Sequence, residues 1–167
     1  MLFLIVAALF AEPPDMSDAG RAGLWHAMPI VASGYAGLYA LFEDGTFLWR
    51  ESEMDWAARL RERSGSWRVE GDTLVLTVSS EMVWEGGTLV PATGSAGSDS
   101  ELTGFAEVYY DYATPGEVRL GVSAPEPAEP EDYPDMPGGM RRMIIGGEDY
   151  WLLSSDPGTI QLILNRD

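Results

Sequence analysis

The chain of 167 residues has the length of a single domain, and its 46% apolar content, with six Trp, seven Tyr and five Phe, excludes a disordered chain despite a net charge of −17. All ten basic residues are Arg, and so negative a field repels phosphate backbones and anionic headgroups, which argues against nucleic acid and acidic membrane surfaces as partners. The absence of Cys excludes disulfides, thiolate metal sites, a Cys nucleophile and a lipid-attachment cysteine.

The first eleven residues, MLFLIVAALFA, form an apolar run of about the length of a signal-peptide core, short of the roughly 20 residues a spanning helix needs. They read as a secretory signal over 1–11, with small-residue cleavage sites at Val6-Ala7-Ala8 or at Ala11. No Lys or Arg precedes the run, so a buried N-terminal strand is the other reading. The expected product is a periplasmic or secreted protein with no integral membrane segment in its mature chain. Residues 12–33 then form an extended lead-in, and 34–167 a single β domain.

From Gly34 onward, short apolar stretches alternate with Gly, Asp, Pro and Ser, the spacing of an antiparallel all-β domain. Asp44-Gly45 and Gly71-Asp72 are pairs that close tight hairpins. They predict Tyr35–Phe42 paired with Thr46–Glu51, and Ser66–Glu70 paired with Thr73–Ser79. Leu74, Leu76 and Val78 share one face, as do Val118, Leu120 and Val122. Ile160, Leu162 and Leu164 repeat the alternation, which predicts a last hairpin of Tyr150–Ser154 with Thr159–Asn165, closed by Ser154 to Thr159. The fold class expected is all-β, an up-and-down barrel or strongly curved sheet of roughly eight strands with at most one short helix.

Two segments break this pattern. Ser52, Asp55, Trp56 and Leu60 have the spacing of a capped short helix, or else the segment is a strand end with a long loop. Residues 124–139 carry five prolines and five carboxylates, which cannot sit inside a sheet, and read as an acidic solvated loop.

Gly37 and Tyr39 ahead of Asp44-Gly45-Thr46-Phe47, then Gly65-x-Trp67, then Gly71-Asp72-x-Leu74-x-Leu76, resemble the bacterial lipocalin-like domains, small exported up-and-down barrels. The resemblance covers about a quarter of the chain, in turn and core positions. It implies a barrel fold and no particular activity.

The candidate chemistry is sparse. His26 is the only histidine, so any Ser-His-Asp arrangement would depend on it alone, and its surroundings favour a structural role. Glu107 and Asp111 share a strand face but stand about 13 Å apart, too far for a paired-carboxylate glycosidase. Asp99 to Gly104 imitates the start of a calcium loop, yet its twelfth position is Tyr110 where a Glu belongs. Glu126, Glu129, Glu131, Asp132 and Asp135, near Met136, Met140 and Met143, mix hard and soft donors and select no metal. No cofactor and no catalytic residue is assigned.

The aromatic set carries the functional expectation. Tyr39, Phe47, Trp49, Trp67, Trp84, Tyr109 and Trp151 fall in or beside predicted strands, where some could line a cavity for an apolar or amphipathic ligand. Arg119, Arg141 or Arg142 would then meet an acidic headgroup. The same aromatics fill the core solidly if the barrel is small. Three functional readings follow: a noncatalytic exported protein that binds a small apolar or amphipathic ligand, an envelope interaction module with a solid interior, or an enzyme that works through carboxylates converging in a cleft. A filled interior beside an exposed aromatic patch would favour the second.

Overall fold

The computed structural model describes residues 20–28, 36–93, 98–128 and 139–165. The expected signal at 1–11, and Glu129, Glu131, Asp132, Asp135 and Met136 of the acidic loop, lie outside the described residues. Among the described residues are nine strands and one helix: β1 Gly23–His26, β2 Leu38–Leu41, β3 Thr46–Arg50, β4 Leu60–Glu70, β5 Thr73–Pro91, β6 Ser100–Gly121, β7 Glu126–Pro127, β8 Arg141–Ile145, β9 Glu148–Ser154 and α1 Pro157–Leu164. They form one antiparallel sheet in the order β6-β5-β4-β3-β2-β1-β9-β8-β7.

The two hairpins marked by Asp44-Gly45 and Gly71-Asp72 form as the sequence predicts. Leu38–Leu41 pairs with Phe47–Arg50, and Ser66–Glu70 pairs with Thr73–Thr77. At the first turn Gly45 adopts a φ of 80°, which a Cβ disfavours, and Asp44 Oδ1 accepts from the Thr46 N–H at 2.9 Å. β1, which falls within the expected lead-in, is an inner strand held between β2 and β9.

Beyond β6, Val122 forms a single bridge to Ile145, and the Ser123 N–H reaches the Ile144 carbonyl at 3.0 Å. The sheet is therefore curved until its flanks touch at one point. One bridge is not a ladder, so it is a curved sheet and not a closed barrel.

Alternation along the inner strands sorts the apolar residues onto two faces. One face gathers Trp25, Tyr39, Leu41, Phe47, Trp67 and Leu74 with their neighbours into the main core. The opposite face carries Leu24, Leu38 and Ala40, which Ile160 and Leu164 of α1 cover.

That helix corrects the expected last hairpin. Ile160 and Leu164 satisfy both a two-residue and a four-residue period, and the N-terminal signals decide between them. Asp156 accepts the Thr159 N–H at 2.7 Å as N-cap, and Pro157 occupies the first turn. Leu162, expected to share a buried strand face with them, is 69% exposed on the far side of the helix.

Tyr39 and Tyr150 meet edge to face in the core, ring centroids 5.2 Å apart. Burial, then the neighbouring Glu51 and Glu148, push the Tyr150 phenol up to about 12 from an ordinary value of 10.0. Burial pushes Tyr39 upward as well. A folded pKa above the unfolded one means that the proton is held more tightly in the native state, so this contribution is complete below pH 10.0 and is lost as pH rises toward about 12. We expect stability to fall over that interval, with core tyrosinate absorbance appearing together with loss of sheet signal in circular dichroism. In a Tyr150→Phe variant the decline should be shallower.

Candidate functional site

Past Val83, β4 no longer accompanies β5, and β5 and β6 continue as a two-stranded arm that runs to Pro91 and Ser100. The arm buries neither face fully, so its residues lose the clean alternation of the core strands. Its base is shaped by two register shifts. Between Leu60 and Glu62, Arg61 becomes an extra residue, and its guanidinium comes to lie 4.3 Å from the Trp84 ring centroid. Further along, Ser79 alone faces Tyr112 to Pro115, so β6 bows outward.

Arg61 is 6% exposed and organises the loop before it. It donates to the Asp55 carbonyl at 2.6 Å and to the Ser52 carbonyl at 2.8 Å. Burial lowers its pKa, while Glu51, Asp55 and Glu53 oppose that shift. The capping signals at Ser52 and Asp55 nucleate turns in place of a helix: Ser52 Oγ accepts from the Met54 N–H at 3.1 Å, and Asp55 Oδ1 accepts from Ala57 and Ala58 at 3.1 and 3.0 Å. Of the two readings of this segment, the loop is the one realised.

This loop walls a surface pocket of about 310 Å³, floored by Met82, Trp84 and Tyr109 and rimmed by Glu51, Glu53, Glu62 and Glu107. Arg50 and Arg61 are the cations that line it. Arg50 bonds Glu62 at 3.3 Å and Arg61 bonds loop carbonyls, so both guanidinium groups are engaged. The rim is acidic in balance. Phe105 stacks on Trp84 at 4.1 Å and fixes the floor.

On the reverse face, Arg63 pairs with Glu81 at 2.7 Å, and the Tyr112 hydroxyl donates to Glu81 at 2.7 Å. Burial raises the Glu81 pKa, but these two contacts outweigh it and hold the carboxyl below its usual range. The Tyr110 hydroxyl donates to Glu85. A second open pocket of about 340 Å³ lies under the bow of β6, between Val78 and Tyr112.

The aromatic candidates divide among these places. Tyr39, Phe47 and Trp67 are together in the main core, with Trp49 packed at its margin. Trp151 is buried on the α1 side of the sheet, opposite His26 of β1. Tyr109 is 68% exposed on β6, opposite Met82 at the base of the arm. Arg119 lies outside, bonded to Glu70 at 2.5 Å, and Arg141 donates to the Pro125 carbonyl at 3.4 Å. Arg142 pairs with Glu126 at 2.6 Å. These arginines and the core aromatics therefore do not converge on one cavity.

The remaining candidates take structural positions. His26 is buried, its Nδ1 3.0 Å from the Met28 carbonyl. Ser100 to Gly104 run within β6, which removes the calcium-loop geometry. Met143 belongs to the main core. Among the described residues no helix is long and apolar enough to cross a membrane. No family model matches the chain, and comparison with curated proteins and with solved structures returns no match.

Proposed function

We propose that this protein is a noncatalytic, exported interaction module, lipocalin-like in plan, that engages another protein through β6 at the base of the β5–β6 arm. The observation that carries this reading is the division of its aromatic residues. Trp25, Tyr39, Phe47 and Trp67 fill the interior at no more than 8% exposure each, while Tyr109, opposite Met82 at the base of the arm, and Tyr112, in the bow below it, stand out from β6 at 68% and 40%. Tyr combines a large apolar contact area with a polar tip, which is why it is enriched where proteins meet.

Nearer the tip the Leu102 N–H of β6 donates to the Trp56 carbonyl at 3.0 Å, but along Glu107 to Asp111 no described strand lies beside the outer edge of β6. In a solitary protein such an edge is a liability, and a partner satisfies it. The acidic field of the whole chain steers basic partners toward it.

The test is site-specific photo-crosslinking in the host cell, with a benzophenone side chain placed at Tyr109 and, as control, at Leu162 of α1, which is equally exposed. We expect a discrete adduct from Tyr109 and none from Leu162. Equal adducts at both positions, or none on the arm, would overturn the proposal.

A further inference from the structure

Resting on that reading, we infer that the outer edge of β6 at Glu107, Tyr109 and Asp111 receives an extended basic segment of the partner as an added strand, with an Arg or Lys side chain entering the pocket beside Met82, between Glu53 and Glu107.

The backbone geometry identifies which groups are open. Trp84 donates its N–H to the Arg59 carbonyl, away from β6, at 2.7 Å. Trp84 stands directly opposite Glu107, and in an antiparallel ladder a pair that turns its groups away on one strand does so on the other. Glu107 therefore directs its N–H and C=O outward, and the two-residue period extends this to Tyr109 and Asp111. β6 ends the sheet, and no described strand lies beyond it there.

The guards of this open edge are one-sided, since its only charges are the carboxylates of Glu107 and Asp111. Lys is absent from the chain, and the bow and Pro115 come only after Asp111.

Charge selects the occupant. In a symmetric pairing of β6 with a second copy centred on Tyr109, each Glu107 would face the other copy's Asp111, and like charges directly opposite destabilise a ladder. A basic strand reverses the sign of both contacts. Glu107 and Tyr109 share the face that forms the pocket, where Met82 and Trp84 give an apolar floor and Glu53 lies across the opening. Neither Glu53 nor Glu107 has an ion-pair partner among the described residues. Arg61 and Phe105 already cover the two faces of Trp84, so an incoming alkyl stem lies against Met82 with its cationic head between the carboxylates.

The experiment titrates the full chain with three capped nine-residue peptides. One alternates Val and Arg, one alternates Val and Glu, and the third keeps the arginines but replaces each Val by Pro. Backbone amide exchange and Trp fluorescence are followed. We expect binding of the first peptide alone, with slowed exchange at Glu107, Tyr109 and Asp111. Glu107→Lys combined with Glu53→Lys should weaken it about tenfold or more.

Equal affinity for the acidic or the proline peptide would overturn the proposal, as would binding without protection of those alternating amides. Protection that rises with protein concentration in the absence of peptide would show self-pairing and overturn it too. If no peptide binds while Tyr109 still crosslinks a partner, the added strand is wrong and the arm remains an interaction surface.

Discussion

Gly65→Ala is expected to cost roughly 2–4 kcal/mol of stability, among the largest effects of any single methyl group added to this chain. Gly65 lies in β4, opposite Phe47 of β3 and Val78 of β5, beside the register shift that begins at Ser64. A Cβ built there would sit 2.0 Å from the Thr77 carbonyl oxygen and 3.0 Å from the Ser79 nitrogen. Both are backbone atoms of a paired strand, so no rotamer change relieves the contact. Either β5 moves outward, which breaks ladder bonds and lifts Leu76 and Val78 from the core, or β4 bends and pulls on Trp67. Trp67 ties the second hairpin to the first, its Nε1 donating to the Phe42 carbonyl at 2.9 Å and its N–H to the Gly45 carbonyl at 2.8 Å. Gly116→Ala is the control, because a Cβ there meets nothing within 4 Å, and its effect should stay within about 0.5 kcal/mol. Urea denaturation of the two variants measures the difference. A Gly65→Ala protein as stable as the control would mean that the close approach of β4 to β5 is wrong.

The same residues explain why the central hairpins were legible in the sequence. Asp44-Gly45 and Gly71-Asp72 specify turns locally, and Gly65-x-Trp67 joins close strand approach to a side chain that locks the neighbouring turn. Each of these is a short-range device. The last hairpin was misread because Ile160, Leu162 and Leu164 obey a two-residue period by accident of spacing, whereas Asp156-Pro157 held the helix signal. β1 was missed because four residues are too few to display alternation, even though all four are buried in the sheet. Of the site, Tyr109 was singled out as an aromatic on a strand, but its exposure was not readable. Tyr109 stands on the end strand of the sheet, and a strand's place in the sheet order leaves no mark on its local spacing. Glu53, Arg61 and Met82 had no signal in the sequence at all, since a pocket built by a loop, an extra residue and a distant strand leaves no fixed spacing.

Arg61→Ala is expected to destabilise the protein by roughly 2–4 kcal/mol and to dissolve the pocket while leaving the main core folded. The substitution removes the donors to the Ser52 and Asp55 carbonyls, and it removes the cation over one face of Trp84. Two carbonyls that lose a charged donor must find water, so the loop opens and carries Glu51 and Glu53 away from the rim. Arg61→Lys should recover little. One ammonium reaches both carbonyls poorly, and it lacks the planar group that stacks on the indole. Trypsin cleavage after Arg59 measures the loop, and it should accelerate in both variants. Urea unfolding measures the global loss, and the alkaline titration of Tyr150 should stay raised by burial in the main core but shift downward as Glu51 leaves its side. Binding of the arginine-containing peptide should weaken together with loop opening, because the carboxylate at Glu53 holds its place only while Arg61 holds the loop. If trypsin resistance survives in Arg61→Ala, the loop is fixed by other contacts, and the acidic wall of the pocket does not depend on the buried guanidinium.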